Sequence, residues 1–166
     1  LVNSQVYNQA LDVAFKDGLT GLYNHSKLFE DLSVNWGKGV LSSIAFMDLD
    51  NFKTVNDTKG HVYGDKILKS IADLFMIHVR IQDKVYRYGG DEFVIIFSGV
   101  DKSSCRVVLE RLLLKMKESI NENISFSVGI TDSQERPDYR EALNLADRRS
   151  YISKFTGKGK IISEEK

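Results

Sequence analysis

Arg87-Tyr88-Gly89-Gly90-Asp91-Glu92-Phe93 is the stretch on which the reading of this sequence turns. Two glycines separate the segment 85–88 from the apolar run 93–97. Tight hairpin loops need positive φ, which glycine adopts at little cost, so the stretch predicts two antiparallel strands joined by Gly89-Gly90. Asp91 and Glu92 follow at once. Bare backbone lets a bulky charged ligand approach closely, and carboxylates beside it suggest a metal–phosphate site. A Gly-Gly pair alone is more often a solvated turn, so the surrounding sequence decides.

Working outward, the apolar run 41–47 closes on Asp48-Leu49-Asp50 and reads as a buried strand. Residues 51–57 predict a short helix stopped near Lys59-Gly60. The strongest helix signal spans 65–80, where Ile67, Leu68, Ile71, Leu74, Phe75 and Val79 recur at three- and four-residue spacing. Beyond the hairpin come a helix at 102–120, a strand at 124–130 and a helix at 138–155 that Pro137 precedes. An edge strand is expected at 160–163. Upstream, Asn24 caps a second helix that ends at Gly37-Lys38-Gly39. Residues 1–15 suggest a short helix with a poorly defined face, its apolar positions Val2, Val6, Leu11, Val13 and Phe15. Helices alternating with a small sheet indicate an α+β sandwich of the ferredoxin or palm type, its mixed, mainly antiparallel sheet flanked by helices.

A chain of 166 residues suffices for one domain with one core, and 42% hydrophobic with 28% charged residues is a globular composition. Lys+Arg 23 balances Asp+Glu 23, which argues against broad capture of nucleic acid or an anionic membrane. Cys105 is the only cysteine, so no internal disulfide or cysteine metal cage forms; it is expected as a small core residue. With no signal peptide or bilayer-length apolar stretch, a cytoplasmic setting is expected, including that of the cytoplasmic part of a membrane-bound protein. Leu1 in place of Met leads us to expect a piece of something longer.

In a ferredoxin-like sheet the first strand lies antiparallel to the strand leaving the hairpin. Asp48 would then meet Asp91 at one edge. Magnesium is typically held by one or two carboxylates, with water and phosphate completing its shell. Neighbouring strand residues face opposite sides, so Asp91 and Glu92 are not expected to share a task. Asn51-Phe52-Lys53 starts a helix whose free N–H groups, with Lys53, suit a phosphate. A P-loop is absent: Gly157-Lys158 lacks the first glycine and the Ser/Thr. A calcium loop fails too, because Phe52 and Lys53 stand at its fifth and sixth places.

At this point the chain resembles the GGDEF domain of diguanylate cyclases. Asp17-Gly18-Leu19-Thr20-Gly21-Leu22-Tyr23-Asn24 is similar to the family's DxLTGLxN, and Phe46-Met47-Asp48-Leu49-Asp50-Asn51-Phe52-Lys53, Asn56-Asp57, Gly60-His61-Val62-Tyr63-Gly64-Asp65, the hairpin and Ser127-Val128-Gly129-Ile130 follow in order. The resemblance assigns 16–166 to this domain, with a nucleotidyl-cyclase-like fold, and leaves 1–15 as the stub of a helical linker to an upstream sensor. It implies that a homodimer condenses two GTP into cyclic di-GMP, releasing two pyrophosphates. Asp48, the Leu49 carbonyl and Asp91 would hold two Mg2+ ions, with Mn2+ an alternative. Asp91 or Glu92 would help deprotonate the 3′-hydroxyl. Lys53 and the amides of Asn51, Phe52 and Lys53 would neutralise the β- and γ-phosphates, with Lys154 and Lys158 reaching the terminal phosphate. Asn56 and Asp65 match guanine-reading positions; one carboxylate can accept both N–H donors of guanine's Watson–Crick edge, whereas adenine turns an acceptor toward it. His61 lines the same segment. Arg80-Ile81-Gln82-Asp83, with five residues between Asp83 and Gly89, has the placement of the family's product-inhibition motif RxxD.

Some positions depart from the family pattern. Arg149 and Ser150 replace apolar residues of the late DxALYxAK segment, His25 replaces a usual arginine, and Lys158 stands where arginine is frequent. Two other readings compete with an active cyclase. One is a catalytically silent module that binds GTP or cyclic di-GMP and signals to a partner. The other is a cyclase making mixed purine dinucleotides, which Asp65 disfavours. Nucleic-acid binding and membrane contact have no support in the sequence.

Overall fold

A computed structural model describes residues 3–164. The elements run α1 (Ser4–Phe15), α2 (His25–Asn35), β1 (Ser42–Asp50), α3 (Phe52–Lys59), α4 (His61–His78), β2 (Lys84–Gly89), β3 (Glu92–Ser98), α5 (Lys102–Ser119), β4 (Ser125–Asp132), α6 (Tyr139–Phe155) and β5 (Ile161–Ile162). The five strands form one sheet in the order β2-β3-β1-β4-β5. β1 lies antiparallel to both β3 and β4, and β5 joins in parallel beside β4. This is the α+β, palm-like arrangement expected, with β1 in the middle.

β1 is central because it is apolar on both faces. Ala45, Met47 and Leu49 enter a core closed by α3, α4 and α5. Ile44 and Phe46 enter a second core under α2 and α6. Period-two alternation thus splits one strand between two layers. In the larger core Phe75, Phe93 and Phe126 are fully buried, with ring centroids 5.6–5.8 Å apart. Truncating any of them to alanine costs about 3–5 kcal/mol by the usual cavity rule. Cys105 is buried there, and burial pushes its thiol pKa up.

Several boundaries differ from the sequence expectation. β1 continues three residues beyond Met47, so Asp48, Leu49 and Asp50 belong to the strand ladder. α4 begins at His61 rather than at residue 65, because Gly60 ends α3 and starts α4 in a single step. At the hairpin, Gly89 pairs with Glu92, so the two loop residues are Gly90 and Asp91. Gly90 is the one of the two glycines with positive φ, at 46°. A register shift between Arg87 and Gly89 leaves Tyr88 as the extra residue. The shift moves the turn one residue along and puts Asp91 in the loop itself.

α1 buries none of its residues, and Val2 of its expected apolar set lies outside the described residues. The late departures from the family pattern find partners, apart from Arg149 Nε, which is buried without one. Arg149 is 4% exposed, forms a two-pronged pair with Glu135 at 2.8 and 2.6 Å, and donates to the Ile130 carbonyl at 2.7 Å. Ser150 donates to the Asp147 carbonyl at 2.9 Å. The helix lies tight on the sheet at Gly129, where an added Cβ would fall 1.9 Å from the Ala146 carbonyl oxygen. Among the described residues no helix is long and apolar enough to cross a membrane.

Candidate active site

The end of β1 and the hairpin loop meet through the sheet ladder. Asp48 stands opposite Glu92 on β3 and opposite Ser127 on β4. The next residue, Leu49, donates its N–H to the Asp91 carbonyl at 3.1 Å. Leu49 itself is 1% exposed, so its side chain is committed to the core and only its main chain is left for a ligand. Two acids distant in sequence are thus brought side by side by backbone pairing alone.

Negative charge is in excess at this edge. Burial, then the neighbouring Asp48 charge, pushes the pKa of Asp91 up, and the same two causes raise Glu92. Asp147, on α6, is raised for the same reasons. Lys154 answers them: its ammonium donates to Asp48 Oδ1. Burial pulls Lys154 down, but the Asp48 hydrogen bond and the charges of Asp48, Asp91 and Asp50 outweigh it, and its pKa is raised. Among the described residues no three His, Cys, Asp or Glu side chains gather as a ready metal cage. A hard divalent cation that borrows substrate phosphate oxygens needs no such cage, and the surplus of carboxylates fits one.

Beside the loop lies a cleft of about 440 Å3, whose walls include Phe52, Lys53, Asn56, His61, Asp65 and Asp91. Lys53, His61 and Asp65 are exposed there. Asn51, before α3, holds a left-handed φ of 62° and makes no side-chain cap to the helix. Its amide instead donates to the Asn123 carbonyl at 3.2 Å and accepts from Lys158 Nζ at 3.0 Å. The first-turn N–H groups of α3 therefore have no side-chain cap, and Lys158 stands beside them.

The structure separates other expected residues from this cleft. Neither Asp48 nor Glu92 is among its walls; the electrostatic neighbours of Glu92 are Asp48, Asp147 and Asp91. Lys154 reaches Asp48 from α6. Arg80 and Asp83 lie at the other end of β2, joined to each other: Arg80 Nε and NH2 donate to Asp83 at 2.9 and 2.7 Å. Asp83 is buried, with 1% of its side chain exposed, whereas the Arg80 side chain is 44% exposed. Asp83 also accepts from the Arg80 and Ser98 amides, at 3.1 and 3.2 Å.

Sequence reasoning missed two supports. Asp50 is fully buried and accepts from Ser125 at 2.7 Å, Ser127 at 2.8 Å and the Gly159 amide at 3.0 Å. It ties β1 to β4 and to the loop carrying Lys158. The available signal was an acid two residues after Asp48, on the same strand face, opposite a Ser-x-Ser strand. The second support is Arg87, which holds Asp17 and the hairpin loop together.

The fold recurs in known proteins. The family model of the diguanylate cyclase GGDEF domain matches residues 14–160, and the chain belongs to that family. Among curated relatives, the probable diguanylate cyclase DgcI of Escherichia coli K12 is 36% identical over 154 residues, 89% of this chain and 33% of that protein. Diguanylate cyclase DosC of the same strain is 35% identical over 130 residues, 74% of this chain and 28% of its own length. The chain thus spans about a third of the length of these relatives. The coiled coil and GGDEF domain of DgcB from Caulobacter crescentus, solved in complex with c-di-GMP, matches with a TM-score of 0.87 at 26% identity, over 97% of this chain and 91% of that one. Diguanylate cyclase SiaD from Pseudomonas aeruginosa, solved with its activator SiaC, gives 0.83 at 29% identity, over 97% and 66%.

Proposed function

We propose that this chain is the catalytic domain of a diguanylate cyclase, which condenses two GTP into cyclic di-GMP and releases two pyrophosphates. The observation that carries the reading is the meeting of Asp48 and Asp91 beside the cleft. Each domain holds one GTP, so two domains face each other and each 3′-hydroxyl attacks the other nucleotide's α-phosphate. Asp48, Asp91 and the Leu49 carbonyl hold two Mg2+ ions, for which Mn2+ can substitute. Those cations would supply charge to polarise the α-phosphate and to neutralise the attacking and leaving oxygens.

The side chains do the rest. The free N–H groups at the start of α3, with Lys53 and Lys158, neutralise the β- and γ-phosphates. Lys154 balances the Asp48–Asp91 pair and reaches the terminal phosphate when nucleotide enters. Asp65 accepts the two N–H donors of guanine, and Asn56 and His61 line the base's end of the cleft. Asp91 or Glu92 receives the 3′-hydroxyl proton.

Residues 16–166 make up this domain and 1–15 the stub of a linker to an upstream sensor, in a cytoplasmic setting. Product inhibition belongs at Arg80 and Asp83, where the buried carboxylate holds an exposed guanidinium; DgcB, a relative of similar fold, is known with c-di-GMP bound.

The test is incubation of the protein at high concentration with GTP and Mg2+, with detection of cyclic di-GMP. Product is expected, at a rate per molecule that rises with protein concentration. GTP binding without product at any concentration would point instead to a silent module. Equal turnover of ATP and GTP would point to a mixed purine cyclase.

A further inference from the structure

Gly64 is the fourth residue of α4 and has ordinary helical φ. No backbone demand explains it there, since a glycine inside a helix is less favourable than any residue but proline. Its surroundings supply the reason. A Cβ at this position would fall 1.9 Å from Asn56 Oδ1, 3.0 Å from Asn56 Cγ and 3.1 Å from Phe52 Cζ. Asn56 Oδ1 is buried and has no hydrogen-bond partner, while Asn56 also lines the cleft beside Asp65. The amide is therefore seated carbonyl-inward against the bare α-carbon of Gly64. Its amino end is the one left for a ligand.

We propose that Gly64 is a positioning residue for nucleotide recognition: the absent side chain lets α4 close on α3 and fixes the Asn56 amide with its donor toward the base. This rests on the reading of Asn56 as a base contact. Any side chain at 64 displaces the Asn56 amide and weakens binding through it, even though alanine is the better helix former.

A double-mutant cycle on binding of a non-hydrolysable GTP analogue with Mg2+ tests this, with thermal midpoints measured for each variant. Asn56→Ala alone is expected to weaken binding about tenfold, the scale of one buried hydrogen bond. Gly64→Ala is expected to do the same in the parent. In the Asn56→Ala background, where the two Asn56 atoms are gone and only Phe52 Cζ at 3.1 Å has to give way, Gly64→Ala should change affinity less than about twofold and raise the thermal midpoint. A general packing defect would weaken both backgrounds equally, and that result would overturn the proposal, as would parent-level affinity in Gly64→Ala. Should Gly64→Ala fail to fold, folding of the double variant would support the steric coupling, and failure of both would refute it. Parent-level affinity in Asn56→Ala alone would instead remove Asn56 as a base contact, and the inference with it.

Discussion

Arg87 spans Asp17 and the carbonyl of Gly90. Its NH1 lies 3.2 Å from both Asp17 carboxylate oxygens, and its Nε and NH2 donate to the Gly90 carbonyl at 3.0 and 2.7 Å. Asp17 also accepts from the Thr20 amide and hydroxyl at 2.8 and 2.6 Å. Burial opposes its ionisation, but Thr20 and Arg87 outweigh burial and hold its pKa below the usual carboxylate range. The turn after α1 is thereby fastened to the loop that carries Asp91. The Arg87 amide adds a second link, donating to the Tyr23 carbonyl at 2.8 Å.

Arg87→Lys should uncouple these parts. Lysine keeps the charge facing Asp17 but cannot also fork onto the Gly90 carbonyl. Loss of those charge-assisted bonds is worth about 1.5–3 kcal/mol at the loop. The expected result is a kcat at least about tenfold lower, with KM for GTP changed little and the fold intact by circular dichroism. Unchanged kcat would show that the loop needs no such anchor.

Asp50 lends itself to a graded test. Asp50→Ala leaves the Ser125 and Ser127 hydroxyls and the Gly159 amide without their acceptor and opens a cavity, so it should cost about 2–4 kcal/mol in urea unfolding. Asp50→Asn should cost only about 1 kcal/mol, because a serine hydroxyl can rotate to accept from the new amide. Because the same acid holds the Lys158 loop, the alanine variant should also raise KM for GTP. Equal stability of both variants and the parent would remove Asp50 from the account.

The Arg149–Glu135 pair predicts a pH dependence. The Arg149 hydrogen bond is the largest cause holding Glu135 below the ordinary range; burial opposes it and Lys102 adds to it. A folded pKa lower than the unfolded one means that stability is fully present above the unfolded value, about 4.3, and is lost as pH falls through the folded one. Glu135→Gln, which leaves the buried guanidinium without its counter-charge, should therefore cost about 2–3 kcal/mol at pH 7. The gap between variant and parent should narrow as pH falls below about 4.3 and close once pH is below the lowered folded value. A gap that stays constant from pH 7 to pH 3 would refute this assignment.

How far the sequence carried these conclusions depends on the physics of each part. β1, α4 and the hairpin were legible because periodicity and glycine chemistry are local. Asp48 and Asp91 could be paired because an antiparallel connection fixes which strand ends meet. The turn was misplaced by one residue because the irregularity at Tyr88 arises from tertiary packing: its ring sits 5.1 Å from that of Phe46 and 6.5 Å from that of Phe29. β1 was cut short because Asp48 and Asp50 look like loop residues, although Asp50 is buried by partners on β4 that lie 75 and 77 residues away. Arg149 carried no sign of its burial, since Glu135 sits 14 residues earlier across an irregular segment.

Cation binding by the Asp48–Asp91 pair tests the central claim most directly. Mn2+ can be titrated, by calorimetry or electron spin resonance, into the protein with a non-hydrolysable GTP analogue, for the parent, Asp48→Asn and Asp91→Asn. If the proposed site is right and both carboxylates hold the cations of one nucleotide, each substitution weakens Mn2+ binding at least about tenfold and reduces the thermal stabilisation that cation and nucleotide give together. Parent-level Mn2+ affinity in either variant would contradict the account.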